Sequence, residues 1–147
     1  MKENQNTLGY NVWSASEYKN NLEDIYYIPN TVKANPSTIW STIGEQSLHL
    51  TTTTDGFQAV IIKQITSTSN KTLIVNCDIL HQKGGTCQLR MVETGNIYTE
   101  VNIPVNSDTQ HISLSKQTTV DGTVQVILIL RSNTDEIYID NISLTTS

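Results

Sequence analysis

An all-β fold, an antiparallel β-sandwich of about nine strands, is predicted by three observations on this sequence. Short runs rich in Ile, Val and Thr recur along the chain, and such side chains suit a pleated surface better than a helix. Clusters of Gly, Asn, Asp and Ser punctuate those runs with turn chemistry. Helix-length segments between the runs are missing; only 16–24, "SEYKNNLED", reads as a turn or two of helix, with Ser16 as its N-cap.

With 147 residues the chain is long enough for one domain with its own core and short for two. Residues 1–6 read as a tail and 7–147 as a single domain. Strands are expected near 8–14, 46–53, 56–65, 72–80, 86–93, 96–103, 110–116, 123–131 and 136–145. The stretches "TTTTDG", "TSTSNKT", "HQKGG", "VETGN", "VNSDTQ", "TTVDGT" and "RSNTDE" are the turns and loops joining the later eight.

Alternation assigns faces within each strand, because successive side chains point to opposite sides. In "TLIVNCDIL", Leu73, Val75, Cys77 and Ile79 share a face, with Asn76 and Asp78 opposite. In "TCQLRMV", Cys87, Leu89 and Met91 share a face, and Gln88 and Arg90 point away. The Gly-rich "HQKGG" between them has hairpin chemistry. Pairing of these two strands as a hairpin would display Asn76, Asp78, Gln88 and Arg90 together, with Gln125 on a neighbouring strand. It would also bring Cys77 and Cys87 to the core side, either as one disulfide or as two reduced, buried thiols. "TVQVILIL" is apolar on both faces, since Val124, Val126, Leu128 and Leu130 alternate with Ile127 and Ile129; it reads as a central strand.

Residues 15–45 contain no convincing strand yet carry Tyr18, Tyr26, Tyr27 and Trp40. A connection of that length is usually functional or locally packed. Its aromatics either plug one end of the sandwich or frame a binding groove. Tyr10 and Trp13 in the first strand read as core.

Several function classes fall away. A formal net charge of −5 disfavours a phosphate backbone as partner. No apolar run approaches the roughly 20 residues of a membrane helix, and "MKENQNTLGYNV" lacks the apolar stretch of a signal peptide. The chain is therefore intracellular or, the preferred reading, a piece of a larger exported protein. His49, His81 and His111 show no metal-binding spacing, and the two cysteines do not form a "CxxC" zinc motif. Neither "GxSxG" nor a P-loop is present. Asp78, Glu93 and Glu100 are the carboxylates from which a glycosidase pair would have to be drawn.

The order of "IGEQSLHL" (43–50), "GFQAVIIKQI" (56–65), "NKTLIVNCDIL" (70–80), "CQLRMV", "QHISLSKQTT", "VQVILIL" and "EIYIDNISL" resembles the jelly-roll carbohydrate-binding modules of galactose-binding-domain-like fold that are appended to xylanases and other glycoside hydrolases. The resemblance covers most of the chain from about residue 40 onward, and weakly 8–14. It implies a non-catalytic, extracellular domain that attaches a larger protein to a polysaccharide or cell-surface glycan. It also implies a structural calcium, with Asp140 of the last strand as its best candidate ligand and Glu45 as a weaker one. Calcium favours several hard oxygen ligands. The sequence departs from the family pattern at Trp13-Ser14, where a Glu usually follows an aromatic, and at Asn141, where a second acid usually stands. The alternative for Asp140 is a buried carboxylate that accepts backbone N–H groups.

Sugar recognition combines an aromatic face for the C–H groups of the ring with polar side chains for its hydroxyls. Candidate binding residues are accordingly Tyr26, Tyr27 and Trp40 in the long connection, and Asn76, Asp78, Gln88, Arg90 and Gln125 on the sheet. Arg90 is equally a candidate for a surface ion pair. The competing reading is a structural or host-attachment domain of a phage fibre or surface adhesin, acting through protein–protein contacts; a small glycanase is a third.

Overall fold

The computed structural model describes residues 28–42 and 47–146. Among these residues there are nine strands: β1 (Val32–Ser37), β2 (Ser47–Thr52), β3 (Gln58–Ser67), β4 (Thr72–Lys83), β5 (Cys87–Glu93), β6 (Ile97–Ile103), β7 (Gln110–Gln117), β8 (Gly122–Leu130) and β9 (Glu136–Thr146). They form a five-stranded sheet in the order β1-β2-β9-β4-β7 and a four-stranded sheet in the order β3-β8-β5-β6. Every pairing is antiparallel. This is the expected two-sheet sandwich, with jelly-roll connectivity: from β2 to β5 each strand crosses to the other sheet before the next begins.

The core follows from alternation. Leu48 and Leu50 of β2, Leu73, Val75, Cys77 and Ile79 of β4, and Ile137, Ile139 and Ile142 of β9 face inward from one sheet. Val60 and Ile62 of β3, Leu89 and Met91 of β5, and Val124, Val126, Leu128 and Leu130 of β8 meet them from the other. Removal of this apolar surface from water is the main term favouring the fold. β8 is central as expected, lying between β3 and β5, and its outward Ile127 and Ile129 are buried as well.

Two expectations are corrected, and the open choice for the cysteines is decided. β4 and β5 do not pair; they lie in different sheets, and "HQKGG" carries the chain across the end of the sandwich. Gly84 is required at that crossing, because its φ is +116° and a Cβ there would sit 2.0 Å from Asp135 Oδ1. Cys77 and Cys87 are both buried free thiols, and no disulfide joins them. Finally, the segment expected to be strandless contributes β1, which among the described residues lies at the edge of its sheet and pairs with β2. Its Pro36 masked the signal, since proline is compatible with an edge but not with a central strand. The strand expected at 8–14, the tail at 1–6 and the helical turn at 16–24 lie outside the described residues.

β9 carries an irregularity where it passes β4. The register runs from Asn76↔Ser143 to Asp78↔Asp140, so Asn141 and Ile142 together oppose Cys77. Asn141 takes a positive φ of 52°, which asparagine tolerates better than most residues. The bulge lets Ile139 and Ile142 both face the core while Asp140 stays on the outer side.

Candidate functional site

The outer face of the four-stranded sheet is a lattice of side chains set by strand register. One row is Ala59, Ile129, Gln88 and Asn102; the next is Ile61, Ile127, Arg90 and Glu100; the third is Gln64, Gln125, Val92 and Tyr98. Strand spacing and the two-residue repeat make this face roughly 14 Å on a side. Apolar Ile127 and Ile129 form its floor and polar side chains its upper layer.

Arg90 is the centre of that layer. Its guanidinium carbon lies 4.3 Å from the ring centroid of Tyr98 and 5.8 Å from that of Phe57. Its Nε donates to Glu100 Oε1 at 2.7 Å. Arg131 approaches Phe57 at 5.3 Å and donates through Nε to Gln88 Oε1 at 3.0 Å. Gln88 in turn donates to Asn102 Oδ1 at 3.3 Å, and Gln125 donates to Gln64 Oε1 at 2.7 Å. Phe57 and Tyr98 remain 54% and 43% exposed, unusual for aromatic rings that are not packing elements. The face thus presents two exposed rings around a planar cation, framed by amides whose orientations are already set. The Arg90–Glu100 pair is worth little to stability in its exposed setting.

Three residues of the predicted set, Gln88, Arg90 and Gln125, are brought together here. Asn76 and Asp78 are not: they point outward from β4, on the opposite side of the sandwich. Trp40 also belongs to that opposite side. Its Nε1 donates to Thr109 Oγ1 at 3.1 Å, and its ring lies 6.2 Å from that of Tyr138. Tyr138 itself stacks on His49 at 4.2 Å, and burial, then Glu136, pushes its phenol up. Tyr26, Tyr27 and Glu45 lie outside the described residues. Phe57, Tyr98, Gln64, Asn102 and Arg131 were missed; alternation in "IYTEVNI" places Tyr98, Glu100 and Asn102 on one face and would have found that row.

On the opposite side, residues 38–42 follow β1 and reach the outer surface of β9. Asp140 is fully buried there, and its Oδ2 accepts the Thr42 N–H at 2.8 Å. Asp78, its partner across the β4–β9 pairing, accepts from His111 Nδ1 at 2.5 Å and from Asn141 Nδ2 at 3.2 Å. Burial pushes the Asp78 carboxyl up, but hydrogen bonds from the Thr42 hydroxyl, His111 and Asn141 prevail and hold it below the usual range. These neighbours are hydrogen donors, whereas calcium takes six to eight oxygens. Among the described residues these donors meet the Asp78 and Asp140 carboxylates; Glu45, the other calcium ligand that the resemblance implies, lies outside them.

The three acids considered for a glycosidase pair are in separate settings. Asp78 lies under residues 38–42, Glu100 pairs with Arg90, and Glu93 is buried against Lys116 at 3.0 Å. Burial pushes Glu93 up, but the Thr119 amide, Lys116, the Val120 amide and the Thr119 hydroxyl outweigh it and hold the carboxyl at about 2. Among the described residues, no helix is long and apolar enough to cross a membrane.

A two-sheet jelly roll of this topology is the fold of the carbohydrate-binding modules appended to glycoside hydrolases. Among solved structures, the enzymatically active domain of bacteriophage CBA120 tailspike protein 4 superposes with a TM-score of 0.65 at 12% identity, over 82% of this chain and 18% of that one. The CBM22-1 and GH10 modules of Clostridium thermocellum xylanase 10B, complexed with xylohexaose, give 0.62 at 10% identity, over 87% and 27%. The module TmCBM61 in complex with beta-1,4-galactotriose gives 0.57 at 13% identity, over 80% and 83%. The chain thus spans about a fifth of the tailspike chain and about a quarter of the xylanase chain, but most of the free-standing module. No protein-family model and no curated protein matches the sequence.

Proposed function

We propose that the chain is a non-catalytic carbohydrate-binding module that tethers a larger extracellular or surface protein to a polysaccharide or cell-surface glycan. The observation that carries this reading is the outer face of the four-stranded sheet, where exposed Phe57 and Tyr98 flank Arg90 within a framework of amides. A sugar ring stacks its C–H face on Tyr98 or Phe57, and its hydroxyls meet the remaining N–H groups of Arg90 and Arg131 and the amides of Gln88, Gln125 and Asn102. Because cross-strand bonds already orient those amides, little side-chain entropy is lost on binding. The likeness in fold to modules crystallised with xylohexaose and galactotriose supports this class of ligand.

Affinity electrophoresis against soluble polysaccharides, followed by a glycan array, tests the reading. Retardation in at least one polysaccharide is expected, lost in Arg90→Ala and Tyr98→Ala. Absence of binding to every glycan, with both variants migrating like the parent, would overturn it.

A second reading, a structural or attachment domain of a viral fibre, is favoured by the likeness to the tailspike domain. It requires a stable oligomer. Light scattering that reports a monomer at high concentration would count against it and leave the first reading intact.

A further inference from the structure

The end of the sandwich where β4 crosses to β5 holds a cluster that belongs to neither outer face. His81, Cys87 and Asp135 are all buried, and one ligand atom from each lies within 4.8 Å of the others. They come from β4, the start of β5 and the β8–β9 turn; His81 and Cys87 flank the crossing, and Asp135 is brought to them from the far turn. We propose that these three residues bind a zinc ion that ties the three elements together.

The arrangement of protons favours a metal. His81 Nδ1 is 3.0 Å from the Ile103 carbonyl, which can only accept, so Nδ1 carries the hydrogen. In the neutral ring that leaves Nε2 with a lone pair, and Nε2 faces Cys87 Sγ at 3.6 Å. A backbone carbonyl on the far nitrogen is the usual support of a metal-bound histidine. Zn–S and Zn–N bonds of about 2.3 and 2.05 Å at the tetrahedral angle place sulfur and nitrogen about 3.6 Å apart, the separation seen here. Asp135 Oδ1 is aimed by the Gly85 N–H at 3.0 Å, and its Oδ2 is held by the amides of Arg131 and Ser132 at 2.7 and 2.9 Å. The Gly85 carbonyl lies 3.6 Å from Cys87 Sγ, and water would supply any remaining position of a tetrahedral zinc.

Charge and softness agree. A thiolate and a carboxylate neutralise a dication in a buried site, and the S, N, O donor set suits zinc over calcium or magnesium. Without a metal, burial pushes the Cys87 thiol up to about 12, with Asp135 adding to the effect. Metal binding therefore forms the Zn–S bond as the S–H bond breaks, and the proton leaves to solvent. A surface pocket of about 220 Å³, lined by Thr52, Lys83, Asn133, Thr134 and Asp135, lies beside the cluster on its Asp135 side.

The test is refolding of the full chain with zinc, and in parallel with cobalt(II), followed by gel filtration and elemental analysis. Expected results are one zinc retained per chain, and for cobalt an intense visible spectrum of tetrahedral type with a thiolate charge-transfer band. Cys87→Ala removes both, and Cys77→Ala, whose thiol lies outside the cluster, keeps both. Zinc also protects Cys87 from alkylation in the Cys77→Ala chain, a readout that stands even if Cys87→Ala does not fold. Sub-stoichiometric zinc, with a weak cobalt spectrum of octahedral type and no protection, would overturn the proposal and leave a hydrogen-bonded polar lock.

Discussion

At the scale of single residues, Arg90 and Glu93, three apart on β5, show how positions on opposite faces of one strand acquire opposite roles. Arg90 points out of β5 and keeps part of its planar face for stacking; Glu93 points in and is sealed against Lys116. Arg90→Lys retains the charge but loses the planar fork that stacks and donates in fixed directions. On the proposed function, titration calorimetry with a bound polysaccharide should show about ten-fold weaker affinity, or ~1.4 kcal/mol. Glu93→Gln leaves Lys116 buried without its partner and should destabilise the fold by about 3 kcal/mol in urea at pH 7. The sign of the pH effect follows from the lowered carboxyl. Glu93 binds a proton less readily when folded, at about 2 against an ordinary 4.5. Its contribution is present in full above that ordinary value and is lost as pH falls towards 2. Urea midpoints measured between pH 6 and pH 2.5 should therefore fall more steeply for the parent than for Glu93→Gln.

At the scale of elements, two crossings beside the β8–β9 turn contrast in how tightly they are built. Gly84 and Gly56 both have positive φ, +116° and +106°, but only Gly84 is crowded; a Cβ at Gly56 meets nothing within 4 Å. Gly56→Ala should cost about 1 kcal/mol, the backbone term alone. Gly84→Ala adds a collision with the Asp135 backbone, whose Cα would be 2.7 Å away, and should cost several times as much. Thermal melts of the two variants separate conformational strain from steric exclusion. Most strands were legible at this scale because a period of two is local: "TLIVNCDIL" and "TCQLRMV" declare their core faces without reference to any neighbour. β1 was not legible, since its stability comes from β2 and its one proline removes the usual strand signal. The crossing at Gly84 was misread for a related reason: a Gly-rich link has the same local chemistry whether it makes a hairpin or a change of sheet.

At the scale of the whole molecule, the two outer faces are separate surfaces. Trp40 holds residues 38–42 on the five-stranded sheet through Thr109 and Tyr138, and Arg90 organises the four-stranded face. Trp40→Ala should lower the melting temperature by several degrees, as about 1–2 kcal/mol is worth in a domain of this size, and leave polysaccharide affinity unchanged. A loss of affinity in that variant, with the fold intact by circular dichroism, would place the binding face on the wrong sheet. The division of the candidate site follows the same geometry. Gln88, Arg90 and Gln125 could be chosen from alternation, yet Asn76 and Asp78, outward by the same rule, sit on the far side. The His81–Cys87–Asp135 cluster was not legible, because Asp135 joins the nearby His81 and Cys87 only through the packing of the β8–β9 turn.

By itself the sequence determined the fold class, the inward and outward side chains of β4 and β5, and the central, doubly covered character of β8. Those properties depend on neighbours two residues away. Only the tertiary structure decided which strands share a sheet, which outward residues share a surface, and which buried groups meet. Here most consecutive strands change sheet, so closeness along the chain is a poor guide to closeness in space, and groups as far apart in sequence as Gly85 and Asp135 meet.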